Sequence, residues 1–125
     1  MSRLFLVSGA VLAGVAVAAG AFGAHGLEGR VSPERIETFQ TGVTYHMWHA
    51  LALLFVGGWA LHTPGAAPLA AWAGGCFLAG IVLFSGSLYV LVLTDTPWLG
   101  AVTPFGGVAF LLGWGLVVWS VWTGG

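Results

Sequence analysis

"TFQTGVTYHMWHALALLF", residues 38–55, passes from threonines and a glutamine through two histidines into unbroken hydrocarbon. A helix of about 20 apolar residues spans the ~30 Å hydrocarbon core of a bilayer, and the second half of this stretch begins such a run. The rest of the chain is of the same kind. Of its 125 residues, 58% are hydrophobic and 6% charged, whereas soluble domains carry roughly 25% charged residues. So few charges cannot clothe a fold against water, so the solvent read from the sequence is lipid. A net charge of −1 provides no basic surface for nucleic acid. Cys76 is the only cysteine, which excludes an intrachain disulfide. In the apolar setting "GGCFLAG" it reads as a buried, inert thiol.

Four stretches are long enough to cross a bilayer: about 4–24, 45–62, 69–93 and 99–122. The first carries Arg3 and a small-residue Ala19-Gly20-Ala21 site, in the manner of a signal peptide. Its apolar run of about 21 residues exceeds a signal-peptide core, so it reads as a retained helix. "VSPERIE" is a helix start, with Ser32 as N-cap, Pro33 in the first turn and Glu34 at the positive end of the dipole. Pro68 and Pro104 stand where two more helices can open, and "TPFGG" offers Thr103 as a cap. "HTPGAAP" and "TDTPW" are short turns, which make consecutive helices antiparallel. The predicted fold is all-α: an integral membrane antiparallel four-helix transmembrane bundle, one domain over 1–125. An amphipathic interfacial segment at about 32–44 precedes the second span, with Ile36, Phe39 and Val43 as its apolar stripe.

Such threading gathers polarity at one mouth of the bundle. His25, Glu28, Arg30, Glu34, Arg35, Glu37, His46, His49 and Asp95 all fall where the first span ends and the second begins. The opposite end holds Arg3, His62 and Thr63, within an aromatic belt of Trp59, Trp72, Trp119 and Trp122; Trp48 and Trp98 mark the polar mouth. Two arginines against one lean that mouth toward the cytoplasm, and a margin of one arginine does not fix the orientation.

Glu37, Thr41, Tyr45 and His49 follow i, i+4, i+8, i+12 spacing and form one helix row, flanked by Thr38 and His46. The row descends about 6 Å from Tyr45 to His49. An unpaired polar group in hydrocarbon costs several kcal/mol, so the row is expected to turn inward. Its expected partners are His25 and the i, i+4 pair Ser85 and Tyr89 in "FSGSLYVL". The sequence thus predicts a pocket of His25, Thr41, Tyr45, His46, His49, Ser85 and Tyr89, closed from lipid by four helices. Such a pocket could take a small ligand, a lipid headgroup or a segment of a partner.

Other readings stay open at this point. His25, His46 and His49 could ligate a metal ion in a redox accessory protein. Structural zinc, however, takes four ligands, "HMWH" suits copper, and haem needs axial ligands on facing walls. The same polar groups could instead serve only as interhelical hydrogen bonds, worth ~0.6 kcal/mol each, in a structural or assembly factor, or line an oligomeric channel. No nucleophile elbow, phosphate loop or intramembrane carboxylate pair is present, so no enzyme is expected and no cofactor is demanded, a metal ion being the open option. Gly14/Ala18, Gly20/Ala24 and Ala109/Gly113 are small-x₃-small pairs for close helix contact, within the bundle or in a homo-oligomer. Gly20, Gly23, Gly26 and Gly29, every third residue, predict a loosening helix end around His25. The expected partners are membrane lipids, with a second copy or another membrane protein.

Four segments carry a family resemblance: "GAFGAHGL" with its core at 21–27, "FQTGVTYHMWHALALL" at 39–54, "FSGSLYVLVLT" at 84–94 and "TPFGGVAFLLGW" at 103–114. Together they cover nearly the whole chain. The pattern resembles the domain of unknown function 423 family, small bacterial inner-membrane proteins with relatives in eukaryotes. The resemblance implies a four-helix integral membrane protein of the bacterial inner membrane. It implies no activity.

Overall fold

The computed structural model describes residues 1–124, which form four long helical rods. These are α1 (Ser2–Gly26), α2 (Pro33–His62), α3 (Pro64–Thr94) and α4 (Pro97–Trp122). Three of them, α1, α3 and α4, are long and apolar enough to cross a membrane. The second, with Glu34, Arg35, Glu37 and three histidines, does not reach that apolarity. Its place explains why. α2 packs along both α1 and α3, so protein rather than lipid surrounds much of it.

Local chemistry sets most helix ends. Ser32 caps α2, its hydroxyl accepting from the Arg35 amide at 3.2 Å, and Pro33 follows at a position whose missing N–H is not needed. α3 opens at Pro64 and α4 at Pro97, each through a 3₁₀ turn with proline in its first turn. Pro68 and Pro104 stand, as expected, in the first turns of the α-helical stretches that follow, Ala67–Gly80 and Thr103–Trp122. Thr103 caps nothing. Its hydroxyl pairs with that of Ser87 at 2.6 Å, tying α4 to α3. α3 ends on Asp95 in the left-handed region at φ 49, where Asp is tolerated, and the Asp95 and Thr96 amides return to the Leu91 carbonyl.

Two rods contain a π-helical turn. Phe22–Gly26 ends α1, where the repeated glycines announce loosening, and Gly29 (φ +74) then reverses the chain. Ile81–Gly86 widens α3 in mid-rod and places Ser85 there, fully buried. Nothing in the residue pattern announces this second turn.

Glycine and phenylalanine set the packing. A Cβ on Gly9 would lie 2.9 Å from the Ala50 carbonyl, and one on Gly57 2.9 Å from that of Ser2, so α1 and α2 approach backbone to backbone. Gly20 faces Val43, and Gly23 faces Phe39 and Gln40, farther along the same seam. Residue numbers therefore fall along α2 as they rise along α1. In the α3–α4 seam the Phe77 ring sits on Gly113 and the Phe110 ring on Gly80, while Gly106 meets the backbone of Phe84. Gly14, by contrast, faces open space. The main core joins Phe5, Leu53, Val56, Phe77, Ile81 and Phe110. A second cluster of Leu27, Phe39, Leu91 and Val92 closes the polar mouth.

α1 and α4 thus lie on different flanks of the α2–α3 pair. Among the described residues, backbone contact between α2 and α4 is sparse. Side chains bridge the space between them.

Candidate functional site

The helix row of α2 is progressively covered as it descends. Glu37 and Thr41 are exposed, Tyr45 is half-buried, and His49 is buried. The threonines need no partner from another helix. Thr38, Thr41 and Thr44 each donate to the carbonyl four residues back, at 3.0–3.1 Å, the usual way a helix satisfies a hydroxyl in place. Thr41 accordingly stands apart from the buried residues of the row. His25 is exposed on the π turn and also stands apart. The remaining five of the seven sequence-selected residues fall into two groups.

His46, Ser85 and Tyr89 form an interior corner between α2 and α3. Nδ1 of His46 meets the Tyr89 hydroxyl at 2.8 Å, and the Ser85 hydroxyl donates to the Gly42 carbonyl at 2.6 Å. Gly42 permits this approach, since a Cβ there would come within 3.0 Å of the Tyr89 ring. With Tyr89 donating to Nδ1, the His46 proton sits on Nε2. That buried atom is directed toward the Leu12 carbonyl of α1 without reaching hydrogen-bond geometry.

Tyr45 and His49 form the second group, with aromatic neighbours from α3 and α4. Nδ1 of His49 lies 2.7 Å from the Tyr45 carbonyl, and the Trp114 indole N–H donates to Nε2 at 3.1 Å. A carbonyl can only accept and an indole N–H can only donate. The two contacts therefore fix a neutral imidazole with its proton on Nδ1. The ring stacks on Phe110 at 3.5 Å between centroids, and Tyr45 packs on Phe84 at 4.5 Å. Sequence reasoning overlooked Trp114, although it closes the "TPFGGVAFLLGW" segment. Its signal was an indole N–H well inside a span, away from the belts where tryptophan finds water.

These rings hold α2 and α4 apart and leave a groove of about 520 Å³. Tyr45, Trp48 and His49 line one side, Gly107, Leu111 and Trp114 the other, and Phe84 lies between. Its size matches ordinary ligand clefts, as does its apolar lining with few polar groups. It differs from the expected enclosure, because α4 packs on α3 rather than closing against α2, and one side stays open. The Tyr45 hydroxyl, on the wall, makes no hydrogen bond among the described residues.

For metal binding the arrangement is poor. Among the described residues no three His, Cys, Asp or Glu side chains converge. His25 is remote from the buried pair, and both nitrogens of His49 are engaged.

Residues 19–107 match the model of the family described as "Protein of unknown function (DUF423)". The UPF0382 membrane protein YwdK of Bacillus subtilis is 48% identical over 116 residues, covering 93% of this chain and 94% of the relative. The UPF0382 membrane protein SAB0533 of Staphylococcus aureus is 45% identical over 116 residues, covering 93% of each chain. No solved structure matches. By the match over its central helices and by its likeness to these full-length relatives, the chain belongs to the DUF423 family of membrane proteins.

Proposed function

We propose that this protein is a binding or accessory protein of the bacterial inner membrane whose α2–α4 groove holds the apolar body of a membrane-borne amphiphile. In this reading the chain is one domain of four antiparallel spans, with the first turns of α2 lying at the interface. The falling residue numbers along facing helices, the exposed Glu34 and Glu37, and the bacterial membrane relatives support it. The polar pocket of the sequence reading narrows to Tyr45 and His49, and the His46 corner serves as a fastener between helices.

One observation carries the proposal. An aromatic groove of about 520 Å³ has on its wall a tyrosine hydroxyl that makes no hydrogen bond among the described residues. A tyrosine set in an apolar wall offers a bound molecule a ring to pack on and one hydroxyl to pair with. The rings supply the apolar contact, and Tyr45 would supply the single directional one. His49, already locked by Trp114, shapes the wall.

Native mass spectrometry of the protein extracted from its own membrane tests this. Wild type is expected to carry a non-covalent adduct of defined mass. Gly107→Leu should lose it, because the new side chain fills the groove while its Cβ meets only Phe84 at an ordinary 3.9 Å. Unchanged thermal unfolding of the variant separates filling from misfolding. A wild type without adduct, or an adduct that survives Gly107→Leu in a folded variant, overturns the proposal.

A further inference from the structure

Arginine is scarce in this chain, and its placement is uneven. Of three Lys and Arg residues in all, Arg30 and Arg35 line one pocket of about 320 Å³ at the mouth where α1 gives way to α2. Ser32, Asp95, Val31 and Val92 complete the lining. Arg35 Nη2 contacts Asp95 Oδ1 at 3.2 Å, and Arg30 has no ion pair among the described residues. The pocket wall thus carries two positive charges and one negative. Glu28, Glu34 and Glu37 lie nearby in sequence, but none lines it.

We propose that this pocket binds a phosphate-bearing anion, through Arg30 and the free arm of Arg35. A guanidinium has five N–H donors in a planar fork that matches phosphate oxygens in pairs, and Asp95 occupies one arm of Arg35 only. The ion pair then has a positioning role. Asp95, held in the left-handed turn that ends α3, fixes the Arg35 side chain across the mouth. Its exposed carboxylate also offsets one positive charge, so it weakens anion affinity while it orders the site. The start of the 30-residue α2 helix at Ser32 adds a favourable dipole. Val31 and Val92 give the pocket an apolar side, as a glycerophosphate beneath a headgroup would require. Basic pockets between membrane helices hold lipid headgroups in this manner. Free phosphate presents the same chemistry, and the experiment separates the two sources. None of these residues belongs to the α2–α4 groove, so the proposal stands or falls apart from it.

Purified protein is placed in nanodiscs of phosphatidylglycerol and phosphatidylcholine in equal parts, and retained lipid is counted by native mass spectrometry. Inorganic phosphate is titrated in parallel, with ³¹P line broadening as readout. Retained phosphatidylglycerol that millimolar phosphate does not displace identifies a lipid headgroup. Broadening by phosphate without lipid preference identifies the free ion. Either signal should fall about tenfold or more in the Arg30→Gln/Arg35→Gln double variant, given ~1 kcal/mol for each arginine at a membrane surface. Arg30→Gln alone leaves the Arg35–Asp95 pair in place and should show part of the loss. Asp95→Asn should strengthen binding, a gain that an unfolded variant cannot produce. Absence of both signals, or binding unmoved in the double variant, overturns the proposal.

Discussion

His46 and His49 lie three residues apart on one helix and are almost equally buried, at 2% and 4% exposure. What covers them is opposite in kind. Around His46 the helices come together at glycines. Gly42 admits the Tyr89 ring, Gly9 and Gly57 draw α1 onto α2, and the imidazole is sealed with one nitrogen unsatisfied. Around His49 the helices are held apart by rings. Phe77 and Phe110 lie on glycines of the α3–α4 seam and, with Phe84, fill the space toward α2, while the Tyr45 carbonyl and the Trp114 indole engage the two nitrogens of the imidazole. Equal burial therefore conceals a contrast between a fastened corner and a furnished wall. α1 and α2 close on each other through Gly9 and Gly57, whereas rings stand between α2 and α4 and leave a groove beside them.

The sharpest way to break this contrast is to lift α4 off the rings. Gly106 and Gly107 are neighbours with opposite environments. A Cβ on Gly106 would run into the backbone nitrogen of Phe84, whereas one on Gly107 would meet Phe84 at 3.9 Å. Gly106→Val is expected to cost ~3 kcal/mol or more, since backbone cannot yield as a flexible side chain does. Gly107→Val should stay within about 0.5 kcal/mol, as surface substitutions do. Thermal unfolding in detergent compares the two. Equal losses would mean that α4 does not rest on α3 through Gly106.

Much of this architecture is local and therefore legible. Ser32, Pro33 and Glu34 announce the start of α2 by cap and dipole chemistry, and the apolar runs delimit α1, α3 and α4. The i, i+4 spacing of Ser85 and Tyr89 brings both against α2. Other features depend on partners remote in sequence. Thr41 reads as a group in need of a partner, yet its own helix supplies one at the Glu37 carbonyl. Trp114 gives no sign that its indole reaches a histidine 65 residues earlier. The openness of the groove is set by which glycines the rings choose, and composition is silent on that. Gly14, in a small-x₃-small pair, faces open space, while the contact falls to Gly9 and Gly57.

The fastened corner can be tested by removing its atoms singly and together. Tyr89→Phe deletes the hydroxyl that meets His46 Nδ1 at 2.8 Å and leaves a buried nitrogen bare. A loss of about 1–3 kcal/mol is expected for such an orphaned group. Replacing both partners, as His46→Leu with Tyr89→Phe, should recover much of that loss, because no polar atom then remains to be satisfied. A double-mutant cycle on unfolding free energy reads the coupling. Strict additivity would show that the corner fastens nothing.

The wall should respond more gently in stability and more clearly in chemistry. Trp114→Phe keeps an aromatic ring over Phe77 but removes the indole donor to His49 Nε2. One interhelical hydrogen bond in a membrane bundle averages ~0.6 kcal/mol, so unfolding should shift by little more than that. The freed nitrogen, however, would then face a groove open on one side. In the variant, His49 should become modifiable by diethylpyrocarbonate, with peptide mass mapping separating it from His46. His46 should stay protected in both proteins, since it is buried and its Tyr89 contact is untouched. If His49 gains no reactivity when the indole nitrogen is gone, something other than Trp114 covers it, and the two histidines would be buried in the same way after all.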